Sequence, residues 1–109
     1  MFAFAGLWDR WRGPSGEWVE SCTILTTTPN QLLADVHDRM PAILPRERYE
    51  SWLDPTLHDA GRALTLIGPF DAVQMRRYAV SMRVNRVSED GPECSAPVEL
   101  PPVAATLFD

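Results

Sequence analysis

Residues 2–28 read FAFAGLWDRWRGPSGEWVESCTILTTT, and the way this stretch divides decides the fold. Residues 2–8 alternate weakly between aromatic or aliphatic and small side chains, a pattern that predicts a buried strand rather than an amphipathic helix. Arg12-Gly13-Pro14-Ser15-Gly16 concentrates turn formers, because glycine reaches left-handed backbone freely and proline presets φ. Residues 17–28 beyond it are rich in Trp, Val, Ile and Thr, which suit a pleated surface. A β-hairpin closed at residues 12–16 is the expectation.

Downstream, Thr28-Pro29-Asn30-Gln31 matches a capping box, with Thr28 as N-cap and Pro29 at the first helical position, and predicts a short helix over 29–34. His37-Asp38-Arg39-Met40-Pro41 ends it, and Ala42-Ile43-Leu44 is long enough only for a brief strand. Pro45 can open a second helix in which Tyr49, Trp52 and Leu53 share one face before Pro55. Leu57, Ala60 and Leu64 recur at helical spacing and predict a third helix, ending by Gly68-Pro69. Residues 77–87 return to alternation, with Tyr78, Val80, Met82 and Val84 on one side, and predict a half-buried strand. Gly, Pro and acidic residues dominate from Ser88, so residues 1–95 are expected to form the folded portion and 96–109 a flexible tail. The sum is an α+β chain of short elements. Because it opens directly inside an apolar strand, its partner strands are expected to lie elsewhere.

Composition sets the outer limits. A length of 109 residues suits one domain, and 45% apolar with 23% charged residues permits a packed core. Ten prolines cut the chain into short elements. No apolar run is long enough for a membrane span, and no basic residue precedes the short apolar start, so neither a membrane partner nor a signal peptide is expected. Cys22 and Cys94 form neither a zinc knuckle nor a disulfide framework, which points to reduced thiols in the cytoplasm. A net charge of −5 disfavours bulk electrostatic binding of nucleic acid but leaves room for a local site. All ten basic residues are arginine, whose planar fork suits phosphate, although a biased codon usage explains the count better.

Few residues can carry chemistry. His58, beside Asp59 on a predicted helix, reads as a solvated surface residue. His37 lies in a loop flanked by Asp35, Asp38 and Arg39, where a ring is either a structural loop residue or a rigidly held proton carrier. Asp35, His37 and Asp38 are too few and too local for a metal shell, so no metal is expected. Cys22 reads as a small buried hydrophobe in preference to a nucleophile paired with His37, and Cys94 as an exposed thiol. Trp8, Trp11 and Trp18 either stack on bases or pack across the hairpin. No glycine-rich phosphate loop is present, and no cofactor is called for.

The order of segments is more specific than any of these residues. Phe4-Ala5-Gly6-Leu7-Trp8-Asp9-Arg10-Trp11, Ser21-Cys22-Thr23-Ile24-Leu25-Thr26, His37-Asp38-Arg39-Met40-Pro41-Ala42-Ile43-Leu44-Pro45, Val80-Ser81, Val84-Asn85 and Gly91-Pro92-Glu93 follow one another. Together they resemble the C-terminal half of the SOS response-associated peptidase (SRAP) family. The resemblance implies part of a β-rich, barrel-like fold with short flanking helices. It implies recognition of abasic sites in single-stranded DNA, ending in covalent attachment to the opened sugar through an N-terminal cysteine. His37 then matches the family's proton-shuttling histidine, and Arg39 an arginine that contacts the DNA backbone.

The chain departs from that pattern at its start. Met1-Phe2 stands where the family carries Met-Cys-Gly-Arg, and the family's asparagine and glutamate upstream of the FAGLW strand have no counterpart. Cys22 cannot replace the missing nucleophile, because a thiazolidine needs thiol and free amine on one residue. The expectation is a truncated family member that is inactive alone. The alternatives are a non-catalytic single-stranded DNA-binding fragment using Arg39 with Arg76, Arg77, Arg83 and Arg86, and a thiol hydrolase using Cys22 and His37. Beyond the family's name, nothing in these residues indicates a peptide substrate.

Overall fold

The computed structural model describes residues 1–100. The chain is α+β, as its patterning implied, and packs as two compact units, Met1–Met75 and a second that begins at Arg76.

In the first unit, six short strands pair in three antiparallel ladders. β1 (Ala3–Phe4) pairs with β6 (Ile43–Leu44), β2 (Gly6–Arg12) with β3 (Trp18–Ile24), and β4 (Thr26–Thr27) with β5 (Met40–Pro41). Three single residues, Ala5, Leu25 and Ala42, separate these pairs. Ala5 N–H donates to Ala42 O at 2.7 Å, Ala42 N–H to Leu25 O at 2.9 Å, and Leu25 N–H to Ala5 O at 2.9 Å. The three bonds close a ring, so each chain segment changes partner at the same point and three ladders radiate from it. Ala5 and Ala42 are fully buried and, with Leu44, form the core against which Leu25, Tyr49, Trp52 and Ile67 pack. Among the described residues there is no closed barrel.

The hairpin β2–β3 turns where glycine and proline required. Gly16 N–H donates to Gly13 O, Gly13 N–H donates to Glu17 O, and Gly16 takes φ +87°. The Ser15 hydroxyl bonds the Glu17 carboxylate and holds it below its usual range. The expectation of a buried strand over residues 2–8 holds only at Ala5, since Phe2, Phe4, Leu7 and Trp8 are all exposed. Every residue of β2 and β3 is exposed, because a two-stranded ladder has no second sheet layer to bury its faces. Cys22 is exposed for the same reason, a correction to its reading as a buried hydrophobe.

Pro45 precedes a 3-10 turn, Arg46–Arg48, that runs into α1 (Tyr49–Leu53). Tyr49 and Trp52 meet the core as their spacing implied, while Leu53 stays exposed. Trp52 Nε1 also donates to Gly6 O at 3.2 Å. The third predicted helix is shorter than its apolar spacing, because Asp59 caps it by accepting from Gly61 N–H and α2 spans only Ala60–Leu64.

No regular helix forms over 29–34. The chain makes successive turns through residues 31–36, and the cap is Asn30, not Thr28. Asn30 is buried. Its Oδ1 accepts from the N–H groups of Leu32 and Leu33 at 3.1 Å each, and its Nδ2 donates to Phe70 O at 2.8 Å. Its backbone N–H points at the buried Met40 sulfur, 3.3 Å away. One residue therefore ties the loop after β4 to β5 through its backbone and to the segment near residue 70 through its side chain.

In the second unit the alternation of residues 77–87 does not form a strand. Val80 makes a single bridge to Pro97, Val98 N–H donates to Ala79 O, and Ser81 caps a 3-10 turn at Met82–Asn85 by accepting from Arg83 N–H. A bridge partner that lacks an N–H cannot extend a ladder. A second 3-10 turn covers Pro92–Cys94, leaving Cys94 half-buried rather than exposed. Of the expected flexible tail, residues 101–109 lie outside the described residues.

Two substitutions test this scheme. Ala42→Leu forces a larger side chain into the closed ring and is expected to cost about 1–3 kcal/mol, seen as a lower urea midpoint at unchanged slope. Asn30→Ala removes the side-chain acceptor shared by the Leu32 and Leu33 N–H groups and the donor to Phe70 O, with an expected loss of about 1–3 kcal/mol. Hydrogen exchange should then quicken at Leu32 and Leu33 before it does at Leu25 and Ala42, and equal protection in both proteins would refute the capping role.

Candidate functional site

The loop between β4 and β5 carries both residues singled out by the sequence. Its roots are fixed by the pairs Thr26↔Pro41 and Thr27↔Met40, and its interior by the Asn30 amide. The turns end where Val36 and His37 N–H both donate to Leu33 O, at 2.9 and 3.1 Å. The backbone of His37 is therefore anchored while its side chain remains 68% accessible.

His37 Nδ1 accepts from Arg39 N–H at 3.0 Å and lies 3.0 Å from Asp38 Oδ1. One nitrogen cannot accept a proton and donate one at the same time. The neutral ring bonds Arg39 N–H and keeps its proton on Nε2, whereas the protonated ring turns its Nδ1–H towards Asp38. The protein's bonds to this ring thus fall on Nδ1, and Nε2 is the nitrogen left to face solvent or a substrate.

Arg39 is held by a single threonine. Its Nη2 donates to Thr26 O at 2.8 Å and to Thr26 Oγ1 at 3.1 Å, and its Nε donates to Thr26 Oγ1 at 3.3 Å. Nη1 stands outside this clamp. The guanidinium is exposed but orientationally fixed, which lowers the entropy lost when it meets an anion.

The other candidates are scattered. Cys22 stands opposite Trp8 in the β2–β3 register, and His37 bonds to Arg39 and Asp38 instead, so the structure does not bring thiol and imidazole together. His58 is exposed, as expected. Trp18 is covered by guanidinium groups, with Arg10 at 4.4 Å and Arg12 at 5.6 Å from its ring centre, while Trp11 faces Val19. Arg83 and Arg86 line a shallow hollow in the second unit, and Arg76 lies 5.8 Å from the Tyr78 ring. Among the described residues no group of three His, Cys, Asp or Glu converges as a metal set. Nor is any helix there long and apolar enough to cross a membrane.

Sequence reasoning missed Asn30 and Thr26. Asn30 had a signal, since asparagine followed by two N–H donors at the right spacing forms an Asx turn. Thr26 had none, because its role exists only once the loop returns Arg39 to it.

Comparison with known proteins places this geometry. The chain is 45% identical over 93 residues to the abasic site processing protein YoqW of Bacillus subtilis, a match covering 85% of this chain and 42% of that protein. It is 40% identical over 101 residues to the mouse abasic site processing protein HMCES, covering 92% of this chain and 28% of that one. A crystal structure of a protein from Bacteroides thetaiotaomicron superposes with a TM-score of 0.76 at 33% identity, over 90% of this chain and 44% of that chain. The chain thus spans less than half the length of these relatives. With the profile of the SOS response associated peptidase (SRAP) family matching residues 1–87, the chain belongs to that family.

Proposed function

We propose that the loop bearing His37 and Arg39 engages single-stranded DNA at an abasic site, in keeping with the name of the curated relatives. The observation that carries this reading is the rigid, solvent-facing pair itself. A clamped guanidinium sits two residues from an imidazole whose protein bonds are confined to Nδ1.

In this reading Arg39 contacts a backbone phosphate through the part of its fork not taken by Thr26. In this scheme His37 carries an Nδ1–H towards Asp38, which leaves the Nε2 lone pair to take up and return protons during opening of the abasic sugar and during formation or reversal of an imine. Asp38 accepts that Nδ1–H and so orients the ring with Nε2 outward. The residues of this chain hold no metal or cofactor in the scheme, and the reaction takes place in the cytoplasm.

The covalent step is a separate matter. Cys22 and Cys94 are both internal, so their nitrogens are amides and neither can close a thiazolidine with the sugar aldehyde. The 109-residue polypeptide is expected to bind without crosslinking.

Fluorescence anisotropy with a single-stranded oligonucleotide carrying one abasic site tests the first half. Binding at low salt that weakens as salt rises is expected, with Arg39→Ala losing about tenfold, the worth of one charge-assisted contact. Equal affinity of the two proteins removes the phosphate role of Arg39. A denaturing gel of the same mixtures tests the second half, and a band that survives denaturation disproves the claim that these residues alone lack the nucleophile.

A further inference from the structure

Two sulfur atoms meet at Asn30. Its backbone N–H points at Met40 Sδ and its Nδ2 at Met75 Sδ, each 3.3 Å away, while the same Nδ2 donates to Phe70 O at 2.8 Å. At the other end of the planar amide, Oδ1 accepts from the Leu32 and Leu33 N–H groups, which shape the turns leading to His37. Nδ2 and Oδ1 belong to one rigid group, so a displacement of either moves both. The four methionines differ in what guards them. Met1 and Met82 are exposed, and Met40 is buried at 2% exposure. Met75 is half-buried, and so combines access to solvent with a contact to the asparagine that holds the loop.

We propose that Met75 is a redox-sensitive latch on the loop that carries His37 and Arg39, and that its conversion to the sulfoxide by a peroxide loosens that loop. The thioether lone pair attacks one oxygen of hydrogen peroxide, and an S–O bond forms as the O–O bond breaks. The departing hydroxide takes the proton of the transferred OH, so one water is released and the sulfur has lost two electrons. A flexible apolar side chain thereby becomes a polar one with an extra oxygen to house. Oxygen placed on the lone pair that faces Asn30 occupies the position of Nδ2, because a contact of 3.3 Å leaves no room for a further atom. Oxygen placed on the other lone pair weakens an already weak acceptor and needs space of its own in a half-buried setting. In either case Nδ2 withdraws from the point where it also meets Phe70 O, and Oδ1 turns away from Leu32 and Leu33. The inference rests on the packing of Asn30 and is independent of the DNA reading of His37 and Arg39.

Graded treatment of the 109-residue chain with hydrogen peroxide tests it. Dithiothreitol is added afterwards to return Cys22 and Cys94 to thiols, which leaves methionine sulfoxides in place. Peptide mass spectrometry then gives the sulfoxide fraction at each methionine, and amide exchange reads the loop. Exchange at Leu32 and Leu33 should quicken at least about fivefold in proportion to the Met75 sulfoxide, while Leu25 and Ala42 stay within about twofold. Methionine sulfoxide reductases should restore the slow exchange. Met75→Leu, which conserves volume, should abolish the peroxide response, and Met82→Leu should retain it. The wild-type proportionality and its reversal need no variant to fold. A response that survives in Met75→Leu, or that tracks sulfoxide at Met1, Met40 or Met82, overturns the inference. So do a Met75 that stays a thioether once Met82 is fully oxidised, slower exchange at Leu32 and Leu33, and an equal loss of protection at Leu25 and Ala42.

Discussion

The ring of three backbone hydrogen bonds at Ala5, Leu25 and Ala42 is the constraint from which the first unit is built. A buried N–H must find an acceptor, and each of these three finds it on a different chain segment. The segments are far apart in sequence, so the ring forms only when all three arrive. Withdrawing one leaves an unsatisfied donor and an unsatisfied acceptor on the other two, which is why no single ladder is independent of the rest. The alanines follow from the same geometry. At a point where three chains converge, a methyl group fills the space above the ring, and Tyr49, Trp52 and Ile67 close over it.

The three arms that leave this point differ in what they do next. The β1–β6 arm is short and lies within the core, since Ile43 and Leu44 are buried. The β4–β5 arm is equally short and delivers the chain straight into the loop with His37 and Arg39. Its two cross-strand pairs lie between the ring and those residues, so little backbone separates the most rigid point of the unit from its most exposed chemistry. The long β2–β3 arm carries seven-residue strands with no core of their own. Rigidity is therefore concentrated at the junction and passed to the site through the shortest arm.

What was legible in the sequence depended on whether the signal was local. The Gly-Pro-Ser-Gly turn, the helix after Pro45 and the helical face of Tyr49 and Trp52 are settled by neighbouring residues, and all appear. Segment order likewise disclosed the family, and with it the loop to watch. The failures are places where tertiary context decided. Thr28 matches a capping box, but Asn30 offers both an acceptor for two N–H groups and a donor for Phe70 O, and the residue with more bonds to make takes the cap. The alternation at residues 77–87 is what a strand shows, but a strand also needs a partner with donors, and Pro97 supplies none. Cys22 was misread because burial is a property of what packs on a strand, which the strand's own residues do not encode.

The site itself separates two demands that a single flexible loop would set against each other. In the proposed reading, His37 must change protonation while Arg39 keeps its grip on the DNA. Protonation of Nδ1 ends the bond from Arg39 N–H, so the backbone of Arg39 feels the change in charge. Its guanidinium does not depend on that bond, because three contacts to Thr26 hold it from the far side of the ladder. Asp38 Oδ1, 3.0 Å away, accepts a hydrogen bond from the new Nδ1–H within the same loop. The exchange of hydrogen-bond partners at Nδ1 therefore stays between neighbours two residues or fewer apart, and the arginine's anchor lies on a strand that adjoins the closed ring.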